Sequence, residues 1–114
     1  MNILVVDDDA VMVELLQFFL EECGMSVVTA NSPPEALPHL QEKKIDLVLS
    51  DAVMPGGGYI RLLNDIQKTQ PNIPVILMSG YGSTDLDVPC NQTHGFWRKG
   101  EAIDDLLNMV KAMH

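Results

Sequence analysis

The sequence predicts an α/β domain in which a parallel sheet of five strands carries helices on both faces. Three observations lead there. Short, unbroken apolar runs alternate with longer stretches whose apolar residues recur at helical spacing. The runs do not alternate polar with apolar residues, so each reads as a strand buried on both faces, as in parallel sheets. Parallel neighbours need crossovers, and the amphipathic stretches supply them. The 114 residues fit one compact domain over 1–114.

The elements follow in order. Ile3-Leu4-Val5-Val6 is the first strand and runs straight into Asp7-Asp8-Asp9. Val11, Met12, Leu15, Leu16, Phe19 and Leu20 share one face of a first helix, with Gly24 suited to the position past its end. Asp9 reads as a first-turn acid or N-cap of that helix. Ser26 to Ala30 is the second strand. In Ser32-Pro33-Pro34-Glu35, Ser32 caps a second helix, Pro33 takes its first position and Glu35 completes a capping box. That helix should reach about Lys43, kinked or shortened by Pro38, which removes one i→i−4 bond.

Ile45 to Ser50 is the third strand and ends at Asp51. A loop at Pro55-Gly56-Gly57-Gly58 leads to a helix from Tyr59 to Thr69, with Ile60, Leu63 and Ile66 spaced for one face. Past the turn at Pro71-Asn72-Ile73-Pro74, Val75 to Met78 is the fourth strand, ending at Ser79. The breaker-rich stretch 80–95 allows one short or irregular helix around 84–88. Phe96-Trp97-Arg98 is the fifth strand, ending at Lys99. Ile103, Leu106, Leu107 and Val110 mark a last amphipathic helix.

Composition excludes several function classes. The net charge is −9, from 16 acidic and 7 basic residues, so direct nucleic-acid binding is not expected. No apolar run approaches the roughly 18–20 residues of a membrane span. The N-terminal run meets Asp7 too early for a secretory signal. A cytoplasmic protein is the expectation. Cys23 and Cys90 lack metal-ligand spacing and read as two reduced, partly buried thiols rather than a disulfide or redox pair.

In an open parallel sheet, ligands bind beyond the carboxyl ends of the strands. There the sequence sets Asp7 and Asp8 after strand one, Asp51 at strand three, Ser79 at strand four and Lys99 at strand five. A lone carboxylate at a strand end is more often a solvated loop residue or a helix cap; five suitable residues on one rim are a much rarer accident. Two like charges about 4 Å apart repel by roughly 4 kcal/mol at an effective dielectric near 20, so packed carboxylates invite a proton or a cation. Hard Mg²⁺ suits oxygen ligands. A carboxylate beside it can attack a phosphoryl group, giving an acyl phosphate. Lys99 can pair with one phosphoryl oxygen, and Ser79 can donate a hydrogen bond to another.

Four blocks carry a family resemblance: Val5-Val6-Asp7-Asp8-Asp9, Leu47-Val48-Leu49-Ser50-Asp51-Ala52-Val53-Met54-Pro55-Gly56, Pro74-Val75-Ile76-Leu77-Met78-Ser79-Gly80 and Phe96-Trp97-Arg98-Lys99. In order and spacing the chain resembles the receiver domains of two-component response regulators, a chemotaxis-regulator-like superfamily, over nearly its whole length. The resemblance implies a doubly wound, flavodoxin-like (βα)5 sheet with strand order 2-1-3-4-5. It implies Asp51 as phosphoryl acceptor. Asp8, Asp51 and the Val53 carbonyl become Mg²⁺ ligands, with Asp7 acting through water. Lys99, Ser79 and the Ala52 amide become phosphate-binding groups, and Ser79 and Phe96 switch residues. It also implies a histidine kinase or histidine phosphotransfer protein as phosphoryl source, an effector domain or protein as output, and a signalling domain rather than an enzyme.

This chain departs from the family pattern at Gly100, where proline usually follows the lysine; a looser loop is expected there. Three other readings compete with this one. An aspartyl-phosphate phosphatase needs its nucleophile on strand one and a longer chain, and leaves Asp51 without a role. A flavodoxin-like cofactor binder needs glycines after the first strand, and an acidic rim repels a phosphate. An unphosphorylated pseudo-receiver is the runner-up. Cognate kinase, output and oligomeric state are not legible in the residues.

Overall fold

The chain alternates β1 (Asn2–Val6), α1 (Ala10–Glu22), β2 (Ser26–Ala30), α2 (Pro33–Glu42), β3 (Leu47–Asp51), α3 (Gly58–Thr69), β4 (Val75–Ser79), β5 (Gly95–Arg98) and α4 (Ile103–Ala112). This computed structural model describes residues 1–52, 58–80 and 95–113. The strands form one sheet in the order β2-β1-β3-β4-β5, every neighbouring pair parallel. The architecture and strand order are those the sequence implies. The short helix expected around 84–88 lies outside the described residues.

Period-two alternation along the strands builds two apolar layers. Leu4, Val6, Val48, Val75 and Leu77 face α2 and α3, meeting Ala36, Leu40, Leu62 and Ile66. Ile3, Val5, Leu47, Leu49, Ile76 and Met78 face α1 and α4, meeting Leu16, Leu20, Leu106 and Val110. The central strands β1, β3 and β4 are therefore apolar on both faces, which is why they read as unbroken runs. The sheet grows from β1 toward β2 and then, through β3, to the other side. The carboxyl ends of β1 and β3 meet at that reversal, where open sheets hold their ligands.

Local chemistry fixes the helix ends. The Asp9 carboxylate accepts from the Val11 and Met12 amides, so it is the N-cap of α1. At the other end Met25 N–H donates to Leu20 O and Gly24 N–H to Glu21 O, the paired bonds of a Schellman motif. Gly24 adopts φ +84° there, a conformation that favours glycine. Ser32 caps α2 by accepting from Glu35 N–H. The helix continues through Pro38 to Glu42. Buried Ala36 and Leu40 on either side hold it to the sheet despite the missing N–H.

Two apolar faces differ from expectation. In α3 the buried residues are Tyr59, Leu62, Leu63 and Ile66, whereas Ile60 is exposed. In α1, Leu16 and Leu20 are buried but Val11, Leu15 and Phe18 are exposed, at i, i+4 and i+7. Helical spacing finds apolar stripes without telling which of them meets the core. The third strand also starts at Leu47 rather than Ile45. Ile45 N–H instead donates to the Gln70 side-chain oxygen (3.2 Å), and the Gln70 amide donates to the carbonyls of Leu40 (2.6 Å) and Lys43 (2.7 Å). Gln70 thus caps α2 from a distance and ties it to the segment leading into β3. Gln70→Ala is expected to cost about 1–3 kcal/mol, since each lost bond contributes on the order of 1 kcal/mol. Urea unfolding should register this as a lower midpoint with an unchanged m-value.

Candidate functional site

The rim is assembled by strand register. Val6 pairs with Ser50, so Asp7 emerges beside Asp51. Ser79 pairs with Arg98, so Lys99 emerges beside β4, and its N–H donates to the Ser79 carbonyl at 2.8 Å. Asp7 is held from both sides: its own N–H donates to Ala30 O (3.1 Å), and its Oδ1 accepts from Asp9 N–H (3.0 Å). The consecutive acids therefore divide their work, Asp9 capping α1 while Asp7 turns into the rim.

Lys99 Nζ lies 2.8 Å from Asp7 Oδ2 and 3.2 Å from Asp51 Oδ2. Asp7, Asp8 and Asp51 each offer a carboxylate oxygen, all within 4.8 Å of one another. Asp7 and Asp51 are buried and Asp8 is exposed. Three carboxylates on one ammonium leave a local excess of two negative charges. All-oxygen, carboxylate-rich donors at this separation fit a hard divalent cation.

Burial pushes the Asp7 carboxyl above its usual value of 3.8. The Asp51 charge adds to the rise, and the hydrogen bonds from Lys99 and from the Asp9 amide only partly offset it. For Lys99, burial alone would favour the neutral amine. The hydrogen bond to Asp7 and the charges of Asp7 and Asp51 outweigh that and hold it above 10.5, so it is an ammonium at neutral pH.

Of the residues singled out in the sequence, Asp7, Asp8, Asp51 and Lys99 come together directly. Ser79 is buried at the end of β4, one residue beyond Met78, the Asp51 partner. Phe96 is half-buried on β5 opposite Leu77 and packs against the α2–α3 layer. Val53 lies outside the described residues. The Ala52 amide, expected to bind phosphate, donates to the Met78 carbonyl at 2.8 Å, extending the β3–β4 ladder. The loop after Lys99, where Gly100 stands, carries two hydrogen bonds. Glu101 N–H closes a turn onto Arg98 O (3.2 Å), and the Trp97 indole donates to Ala102 O (3.3 Å). That indole contact had no sequence signal beyond the turn-forming glycine.

A family model for the response regulator receiver domain matches residues 3–111. The chain belongs to the response regulator receiver domain family. This receiver domain is 44% identical over 82 residues to the transcriptional regulatory protein GlrR of Escherichia coli, covering 72% of this chain and 18% of GlrR. It is 37% identical over 116 residues to the CAI-1 autoinducer sensor kinase/phosphatase CqsS of Vibrio cholerae, covering 97% of this chain and 17% of CqsS. The domain thus spans under a fifth of either relative. Among solved structures, the response regulator TrrA of Thermotoga maritima, in complex with Mg²⁺ and BeF, superposes with a TM-score of 0.89 at 31% identity, covering 99% of this chain and 98% of that one. No helix among the described residues is long and apolar enough to cross a membrane.

The raised Asp7 value has a direct consequence for stability. A carboxyl whose folded value is raised makes stability fall as pH climbs from 3.8 through that value. Asp7→Asn removes the buried charge and keeps the oxygen that accepts from Asp9. Without divalent cations this variant should unfold at a higher temperature than wild type at pH 7. With saturating Mg²⁺ the gap should narrow or reverse, because the cation stabilises only the intact acid cluster. Differential scanning calorimetry with EDTA or Mg²⁺ separates the two conditions.

Proposed function

We propose that Asp51 accepts a phosphoryl group from a phosphohistidine of a histidine kinase or phosphotransfer protein, in a Mg²⁺-dependent reaction that switches a signalling output. One observation carries this reading: a buried carboxylate stands 3.2 Å from a lysine ammonium, in a three-carboxylate cluster that fits a divalent cation. Asp8 and Asp51 would hold the metal directly and Asp7 through water; the Val53 carbonyl is the remaining candidate ligand. Bound there, Mg²⁺ would offset the charge of the carboxylates and the incoming phosphoryl oxygens.

An Asp51 oxygen then attacks phosphorus in line with the departing imidazole nitrogen. The new O–P bond gives an acyl phosphate, and the N–P bonding pair stays on the imidazole, which takes up a proton. Lys99 pairs with a phosphoryl oxygen as a point charge. To do so it gives up part of its contact with Asp7 and Asp51, an exchange of one anion for another. Ser79 supplies a hydroxyl donor from the next strand end. Its inward movement would let Phe96 follow, and the half-buried position of Phe96 is consistent with that freedom. The exposed strip of Val11, Leu15 and Phe18 starts in the first turn of α1, whose cap is bonded to Asp7. A partner presenting its phosphohistidine at the rim would cover it. A cytoplasmic location fits such a partner.

Acetyl phosphate with Mg²⁺ should add one labile phosphoryl group to the wild type by intact mass and none to Asp51→Asn. An adduct that survives in Asp51→Asn would move the acceptor elsewhere. Mg²⁺ alone should change Trp97 fluorescence, since Trp97 lies two residues before Lys99. Asp8→Asn should weaken that titration by more than about tenfold, as expected for loss of a direct ligand. An unaltered titration would relocate the metal.

A further inference from the structure

We propose that Trp97, through the hydrogen bond by which it anchors the segment after Lys99, positions the Lys99 ammonium for the phosphoryl group; this rests on the phosphoryl-accepting reading of the rim. Four features define the segment between β5 and α4. Lys99 N–H is tied to Ser79 O at 2.8 Å, and Glu101 N–H to Arg98 O at 3.2 Å. Gly100 has φ +94° while Lys99 has no positive φ, which makes residues 98–101 a type II turn with glycine at the third position. The Trp97 indole N–H reaches Ala102 O at 3.3 Å.

Trp97 is a fixed post, 3% exposed and set in the layer of Met78, Leu106 and Leu107. Ala102 is the N-cap residue of α4 and has no side chain that could cap the helix. Its carbonyl accepts both Asp105 N–H (3.1 Å) and the indole. The loop carrying Lys99 is thereby pinned to Trp97 at both ends, once through the chain and once through Ala102. A lysine is a flexible stem bearing a point charge. Its reach to Asp7 and Asp51 depends on where its Cα is held, and the indole bond restricts that. Where the family usually has proline after the lysine, this chain has a glycine turn whose far end is anchored by a tryptophan.

The rival account is that Trp97 only fills the core. A double-mutant cycle separates the two. Binding of beryllofluoride with Mg²⁺, and of Mg²⁺ alone, is measured calorimetrically for wild type, Trp97→Phe, Lys99→Met and the double variant. Trp97→Phe keeps an apolar ring but loses the N–H. It should weaken beryllofluoride binding by about threefold to tenfold, the worth of one hydrogen bond. Mg²⁺ affinity should be unchanged, and the effect should vanish in the Lys99→Met background. Gly100→Ala repeats the test without touching the core: its Cβ would meet nothing within 4 Å, so only the turn is strained. It should show the same Lys99-dependent loss, and it carries the test if Trp97→Phe does not fold. Unchanged beryllofluoride affinity in these variants, or an equal loss with and without Lys99, overturns the positioning role. A wild type that binds no beryllofluoride at all removes the phosphoryl reading as well, so the two failures are distinguishable.

Discussion

The structure is organised around an electrostatic imbalance. Asp7, Asp8 and Asp51 crowd one rim, and Lys99 neutralises only part of their charge. Like charges this close in a partly buried site repel by several kcal/mol at an intermediate dielectric, on the order given by Coulomb's law. Folding has to hold them there against that repulsion. Two apolar layers, one on each sheet face, provide the restraint. Burial adds to the cost: it pushes the Asp7 carboxyl upward, with the Asp51 charge a lesser contribution. Under the proposed function, a cation or a phosphoryl group would relieve this cost, so stability would be given up where binding has to be favourable.

Backbone pairing converts this tension into geometry. The lateral neighbours at the rim follow from register: Asp7 beside Asp51 through Val6 and Ser50, and Lys99 beside Ser79 through the β4–β5 ladder. A one-residue slip in β3 would turn Asp51 to the opposite face of the sheet. The apolar alternation that seats Val48 in one layer and Leu47 and Leu49 in the other guards against that slip. Core packing and site geometry are the same constraint seen from two places.

Much of this was legible in the residues. Asp9, Gly24 and Ser32 obey local capping rules, and each does what its position in the sequence suggests. The rim acids and the lysine were legible because strands in parallel sheets end where their apolar runs end. What was missed depends on tertiary geometry. Val11, Leu15 and Ile60 fit a helical period yet face away from the core. Gln70 and Trp97 act through side-chain bonds to distant backbone carbonyls, which no spacing rule encodes. Gly100 is a partial case: glycine signals a turn, but not that an indole would anchor the segment just beyond it.

The central claim is that this imbalance serves acyl phosphate formation at one carboxylate. Borohydride reduces an acyl phosphate to a primary alcohol and leaves free carboxylates untouched, so it marks the acceptor in the wild-type protein. Peptide mass spectrometry after treatment with phosphohistidine donor, Mg²⁺ and borohydride should find the alcohol at position 51 alone. Its appearance at Asp7 or Asp8, or no reduction product anywhere on a protein that has taken up phosphorus, would contradict the account.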